Sequence, residues 1–364
     1  MIAKWSAASL AALLLLILVR ATIPVPGQPE VALAALVAMA HVALWVMRKH
    51  DLQWTGLVWP LAAMPLFGVA QLLAGTSLSP SETSAETVTR CGLAVVFFLA
   101  LQVRRIPVRE IVAFGGVFAV ASVAMHWIRN EVVPEFWLFP DHNHYAALME
   151  LLFPIAIYRA LVSDGSRLRW ESAAALAIFV SVLLCGSRVG AGMLVAEFVL
   201  VCFLAGKWNL RFALIGAAVV VVAVAWQAQR YREVLELKPL VERFEGTTTT
   251  LRMIEGRPLA GVGLGAWHAA FPRYTRMDPG FEVFHADDDW LEWAAEGGVL
   301  YPLVWLPLLW DAVTRMKSRP WSVGIVAACL HGIAEYPLHK LSVLYWLVAL
   351  LGLTLRSAGE RQSK

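Results

Sequence analysis

Long apolar runs alternate with short polar connections along the whole chain. The runs lie at about 5–23, 30–47, 52–74, 88–103, 108–128, 144–162, 171–185, 189–205, 209–227, 289–310, 321–335 and 341–355. A helix that crosses a bilayer needs about 20 mainly apolar residues, and shorter spans are accommodated by packing or local thinning. The pattern therefore predicts an all-α polytopic membrane protein with about twelve transmembrane helices. The first run, Trp5 to Ile23, shows no small-residue cleavage site and is followed by others of similar length, so it reads as a helix and not as a signal peptide.

Composition agrees with a bilayer as solvent. The 364 residues are 59% hydrophobic and 16% charged, and the mean hydropathy is +0.65; both depart far from the soluble mix. Basic residues orient the spans, because Lys and Arg in short connections collect on the cytoplasmic side. Lys4, Arg48, Lys49, Arg104, Arg105, Arg109, Arg167, Arg169, Lys207, Arg211, Arg315, Lys317, Arg319 and the tail with Arg356, Arg361 and Lys364 fall on one side if the runs alternate. Both termini are then expected in the cytoplasm. Three parts follow: residues 1–227 with the first nine spans, a large periplasmic loop at 228–288 holding short helices, and residues 289–364 with the last three spans and a tail.

The loop is far longer than any other connection, and loops of that size are usually functional or disordered. Its mixture of aromatic, apolar and charged residues argues against disorder. It carries Arg230, Arg232, Lys238, Arg243, Arg252, Arg257, Arg273 and Arg276, which suggests an anionic ligand on the outer face. Several chemistries drop out. The four cysteines, Cys91, Cys185, Cys202 and Cys329, lie in apolar segments without CxxC spacing, so neither zinc nor a disulfide framework is supported. "GVGLG" at Gly261–Gly265 lacks the full GxGxxG fingerprint and a βαβ setting, and reads as a tight turn whose amides are able to face an anion. There is no P-loop lysine, which speaks against ATP-driven work, and no nucleic-acid partner is expected.

The remaining polar groups gather at the outer side. "PDHNHYAALMELLFP" brings Asp141, His142, Asn143 and His144 to the start of the sixth span, and "CGSRVGAG" sets Ser187 and Arg188 at the turn between the seventh and eighth. "FHADDDWLEWAAEGG" places His285 and Asp287, Asp288 and Asp289 before the tenth span, with Glu292 and Glu296 continuing one side at helical spacing. Ionisable groups at such depth are costly and read as functional by default. Plainer roles compete: Asp141 or Asn143 as a helix cap, one aspartate, Asp288 or Asp289, as the cap of the tenth helix, Arg188 snorkelling to headgroups, and Trp290 and Trp293 as interfacial belt residues.

These stretches, together with "RFEGTTTTLRMIEGRPLAGVGLGAWHAAFPRY" and "HADDDWLEWAAEGGVLY", resemble the O-antigen ligase and polymerase superfamily over roughly residues 140–305. The shared order is an Asn-His pair opening a helix, a Ser-Arg turn, an arginine ahead of a glycine-rich stretch, and a histidine-type motif leading into a helix with Glu-x-Gly. The resemblance implies a GT-C-like inner-membrane glycosyltransferase with its active site facing the periplasm. It would pass a glycan from undecaprenyl diphosphate to an acceptor hydroxyl, on lipid A core or on another carrier-linked repeat, without a cofactor or an obligatory metal. By the same resemblance Arg188 and Arg243 hold the diphosphate, with Arg252 and Arg257 behind them and Asn143, His144, Asp288 and Glu296 as further substrate contacts. The family's catalytic histidine aligns with Asp287, so either His285, two residues earlier, takes the hydroxyl proton with Asp287 able to orient it, or Asp287 takes that proton outright. Thr247 stands where relatives often have an aromatic residue. A transporter of lipid-linked glycans and a noncatalytic assembly subunit are the competing classes.

Overall fold

A computed structural model describes residues 9–16, 35, 37–39, 41–43, 52–103, 106–129, 139, 141–163, 165–207, 218, 221, 225, 238–276 and 283–356. The expected spans at 5–23, 30–47 and 209–227 fall largely outside these residues, as do Arg230, Arg232 and the tail beyond Arg356. The main described elements are helices, numbered here in chain order: α1 Val58–Leu73, α2 Pro80–Gln102, α3 Val108–Arg129, α4 His142–Val162, α5 Gly165–Cys185, α6 Arg188–Leu204, α7 Lys238–Gly256, α8 Trp267–Tyr274, α9 Asp289–Gly297, α10 Leu306–Arg315, α11 Val323–His331 and α12 Leu341–Arg356. Among them α2, α3 and α4 are long and apolar enough to cross a membrane, and α1, α12 and the stretch Pro320–His331 are shorter apolar helices. The chain is an all-α, multi-pass membrane protein in these respects.

Helix α4 is the axis of the bundle. Asp141 caps it, accepting from the Asn143 amide at 2.6 Å, a contact worth about 1 kcal/mol. From Asn143 to Ala156 every residue is buried, so the helix is enclosed on all sides and not merely on one stripe. It packs against α3, α5, α6, α11 and α12, while α1 lies on α2 and α2 on α12. Small residues permit the closest crossings: a Cβ at Gly324 of α11 would stand 2.5 Å from the Glu150 carbonyl, and one at Gly190 of α6 would stand 2.5 Å from Ala146. Such close approach is how helices associate where lipid removes the hydrophobic drive. Outward-facing Trp59, Leu73, Val117, Trp127 and Ile128 are exposed apolar side chains, the surface a lipid environment covers.

The expected single span at 289–310 is instead broken. Helix α9 stops at Gly297, Gly298 takes φ +81, and a 3-10 turn at Pro302–Trp305 leads into α10. Two adjacent glycines and Pro302 explain the break, since a Cβ at Gly298 would meet the Leu259 carbonyl at 2.3 Å. The run at 321–335 likewise divides into a 3-10 turn at Pro320–Ser322, α11, and a turn beyond Gly332. Trp293 corrects a second expectation: it is no belt residue but fully buried, stacked on Trp305 at 5.1 Å with the Arg90 guanidinium over its ring at 5.4 Å.

The loop motif forms its own small core from Met253, Val262, Trp267, Ala270, Phe271, Ala286 and Ala295. Its glycine-rich stretch is the tight turn expected, with positive φ at Gly261, Gly263 and Gly265. The amides are spent on packing: Val262 donates to Ala295 and Gly263 to Glu296, while Leu264 donates to the Gln71 side chain at 3.0 Å. Gln71 in turn donates to the carbonyls of Ala260 and Glu296, each at 2.7 Å. The turn thus clamps the end of α9 to α1.

Candidate active site

The charged lead-in to α9 is built by local geometry first. Residues Val283–Ala286 lie outside any helix or strand, and Asp287 then adopts φ +54, the one positive φ at a non-glycine position among the described residues. Aspartate tolerates this region better than most side chains, and such outliers concentrate where function over-determines the backbone. The bend lets Asp288 cap α9: one carboxylate oxygen accepts from Trp290 and Leu291 amides at 2.9 and 3.0 Å. Of the two aspartates weighed for that role, Asp288 is the cap.

Asp289 points inward. It is fully buried and accepts from the amides of Leu338 and His339 at 2.9 and 3.0 Å and from His339 Nδ1 at 2.5 Å. It thereby ties α9 to the turn at 332–340, a segment that sequence reasoning did not single out. His339 lies among three carboxylates, with Nε2 at 3.4 Å from Glu292 and 3.9 Å from Glu296. Burial alone would lower its pKa, but Glu292, Asp289 and Glu296 together raise it well above the ordinary value. Glu292, Glu296 and His339 each present one donor atom within 4.8 Å of the others, the set among the described residues able to share a metal ion.

His285 stands at the open edge of this cluster. Its Nδ1 lies 2.8 Å from Glu292 Oε1, and the other oxygen of Glu292 accepts from the Ala286 amide at 2.8 Å. The ring stacks on Tyr336 at 4.1 Å between centroids. His144 meets the same tyrosine edge-on at 4.8 Å, so Tyr336 bridges the start of α4 to the lead-in. Lys340 completes the group, with Nζ 3.3 Å from His285 Nε2 and 4.8 Å above the Tyr336 ring. Glu292, and not Asp287, is therefore the side chain that orients His285.

Asp287 faces Arg243, whose Nε is 3.7 Å away; the same guanidinium is paired with Glu335 and donates to the Ala334 carbonyl. Burial raises the Asp287 pKa, and Arg243 only partly offsets that. Arg188 opens α6 as an exposed residue behind the Ser187 cap, which accepts from the Gly190 amide at 3.0 Å. Cys185 Sγ reaches the His142 carbonyl at 3.6 Å, so this turn sits beside the start of α4. Arg252 pairs with Glu245 at 3.2 Å and reaches the Tyr274 carbonyl, while Arg257 donates to the Thr76 carbonyl at 2.5 Å. Arg252 thus holds the loop motif together, and Arg257 ties it to the connection between α1 and α2. Glu296 accepts from the Trp267 amide at 3.3 Å. Asn143 is buried one residue before His144, whose ring nitrogens have no hydrogen-bond partner among the described residues.

Residues 173–306 match the model of the O-antigen ligase family. The match supports the O-antigen ligase and polymerase superfamily and points to membrane glycosyltransferase activity of that general type. No curated protein matches the chain. The matched segment includes the Ser187–Arg188 turn, Arg243, the glycine-rich turn and α9, but ends before Glu335, Tyr336, His339 and Lys340.

Proposed function

We propose that this protein is an inner-membrane glycosyltransferase that moves a glycan from undecaprenyl diphosphate to an acceptor hydroxyl at the periplasmic face, as an O-antigen ligase or a surface-polysaccharide polymerase. The observation that carries the reading is the contact between His285 Nδ1 and the Glu292 carboxylate. Because the Glu292 carboxylate accepts from Nδ1–H at 2.8 Å, Nε2 is left as the acceptor nitrogen of the ring.

In the reaction the acceptor oxygen attacks the anomeric carbon while its proton passes to His285 Nε2. The glycosyl C–O bond breaks, and the electron pair leaves with the diphosphate. A diphosphate is a good leaving group, so the work required is holding its charge, and guanidinium groups suit that by bidentate contact. Arg188 is exposed for such contact. Arg243 is half-exposed but engaged with Glu335 and Asp287, so donor phosphates would displace carboxylates that already occupy the fork. Asp287 then acts as the exchangeable counter-ion of Arg243 and not as the base. His144 lines the far side of Tyr336 and Asn143 precedes it at the start of α4, where the glycan would find polar partners.

The test uses purified full-length protein with a defined undecaprenyl-diphosphate glycan. New glycosidic bonds without other proteins are expected. A ladder from the carrier-linked repeat alone identifies a polymerase, and product only on addition of a separate acceptor identifies a ligase. Translocation across vesicles without bond formation would overturn the proposal.

A further inference from the structure

Lys340 is the group at the site whose position the reaction above leaves unexplained. It follows the 3-10 turn at Pro337–His339 and begins the approach to α12. Among the described residues Nζ has His285 Nε2 at 3.3 Å and the Tyr336 ring beneath it, with no carboxylate at ion-pair distance. Arg243, by contrast, is held by two carboxylates, and Arg252 by one.

The hydrogen-bond pattern decides what that contact is. With Nδ1–H donated to Glu292, Nε2 carries a lone pair, and an ammonium at 3.3 Å is favourable only by donating into it. A lone pair so occupied is closed to an acceptor hydroxyl. We infer that Lys340 caps the Nε2 lone pair of His285 and is drawn off it by the diphosphate of the incoming donor, so that the base opens only in the donor complex. This rests on the glycosyl-transfer reading above.

Charge-assisted contacts of lysine to phosphate are shorter and stronger than a long contact to a neutral imidazole. The lysine stem is flexible and its head is a compact point charge, which suits movement between two partners. The consequence is ordered binding, donor before acceptor.

Two readouts on the full-length protein in detergent test this, with farnesyl diphosphate as the probe. Acylation of His285 by diethyl pyrocarbonate, followed by mass spectrometry, reports the cap: Lys340→Met should acylate several-fold faster than the parent without ligand. Affinity for farnesyl diphosphate reports the withdrawal: Lys340→Gln should lose about tenfold or more, while Lys340→Arg, which keeps the charge, should retain most of it. Equal acylation rates would overturn the cap, and equal affinity in Lys340→Gln would overturn the role in binding the donor. Binding by neither parent nor variant, together with no transfer, would instead sink the glycosyltransferase reading and this inference with it.

Discussion

Two histidine–carboxylate pairs in this molecule share one geometry and differ in their surroundings. His285 Nδ1 meets Glu292 at 2.8 Å, and His331 Nδ1 meets Glu150 at 2.7 Å. The first histidine side chain is 23% exposed, whereas both members of the second pair are 0% exposed. The first joins the start of α9 to an open site; the second pins α11 to α4 inside the bundle. The same bond is thus a device for orienting a base in one place and a cross-link in the other, and access alone separates them. Burying a charged or polar pair is costly, and breaking it by removing one partner costs more than the pair contributes.

The largest effect that would break this comparison is on transfer. His285→Ala should lower the rate by about 10²–10⁴-fold with normal membrane insertion, the range for a general base. Glu292→Gln should fall in the same direction by freeing the tautomer. Rates near the parental value in a product-formation assay for His285→Ala would hand the proton to Asp287. Next comes stability: His331→Ala should destabilise the protein by about 3–5 kcal/mol, by leaving the Glu150 carboxylate buried without its partner. A thermal or denaturant unfolding midpoint unchanged from the parent would remove His331–Glu150 as a cross-link, while activity per folded molecule should stay at the parental level.

A smaller contrast lies between two arginines of α7. Arg243→Ala should depress donor affinity and transfer, and Arg243→Lys should recover only part, because it keeps charge and loses the planar fork. Arg252→Ala should instead loosen the contact to Glu245 and Tyr274, seen as faster proteolysis of the loop at unchanged donor affinity. Equal kinetic losses in both variants would erase the distinction. The smallest effect is expected for Asp288→Ala, about 1 kcal/mol from the lost cap, read as a modest drop in the unfolding midpoint. Asp288→Asn should retain most of it.

Much of the site was legible where chemistry and local order coincide. The Asp141 and Asp288 caps precede their helices in a way that any helix start displays, and the positive-φ glycines of the Gly261–Gly265 turn follow from the residue type. Glu292 and Glu296 were placed on one helical face by spacing alone. What spacing did not convey is which neighbour each would find. Glu292 reaches back seven residues to His285 because Asp287 bends the chain, and Asp287 turns to Arg243 from α7. Trp293 resembles a belt tryptophan by its position at a helix start, yet Trp305 from beyond the break in the run and Arg90 from α2, distant in the chain, enclose it. The run 289–310 is apolar enough for one span, and hydropathy does not register that Gly297, Gly298 and Pro302 divide it.

By itself the sequence determined the solvent and the class of secondary structure, since an apolar run leaves the backbone no partner but its own helix. It also determined the helix starts and stops set by Asp, Ser, Gly and Pro, and the order of motifs that the O-antigen ligase family shares over 173–306. Only the tertiary structure decided that the turn holding Glu335, Tyr336, His339 and Lys340 closes over the lead-in to α9, bringing Tyr336 between His144 and His285. The physical reason is range: caps and turns are settled within a few residues. Which buried charge meets which is settled by packing between helices far apart in the chain, where every ionisable group must find a partner or lose its charge.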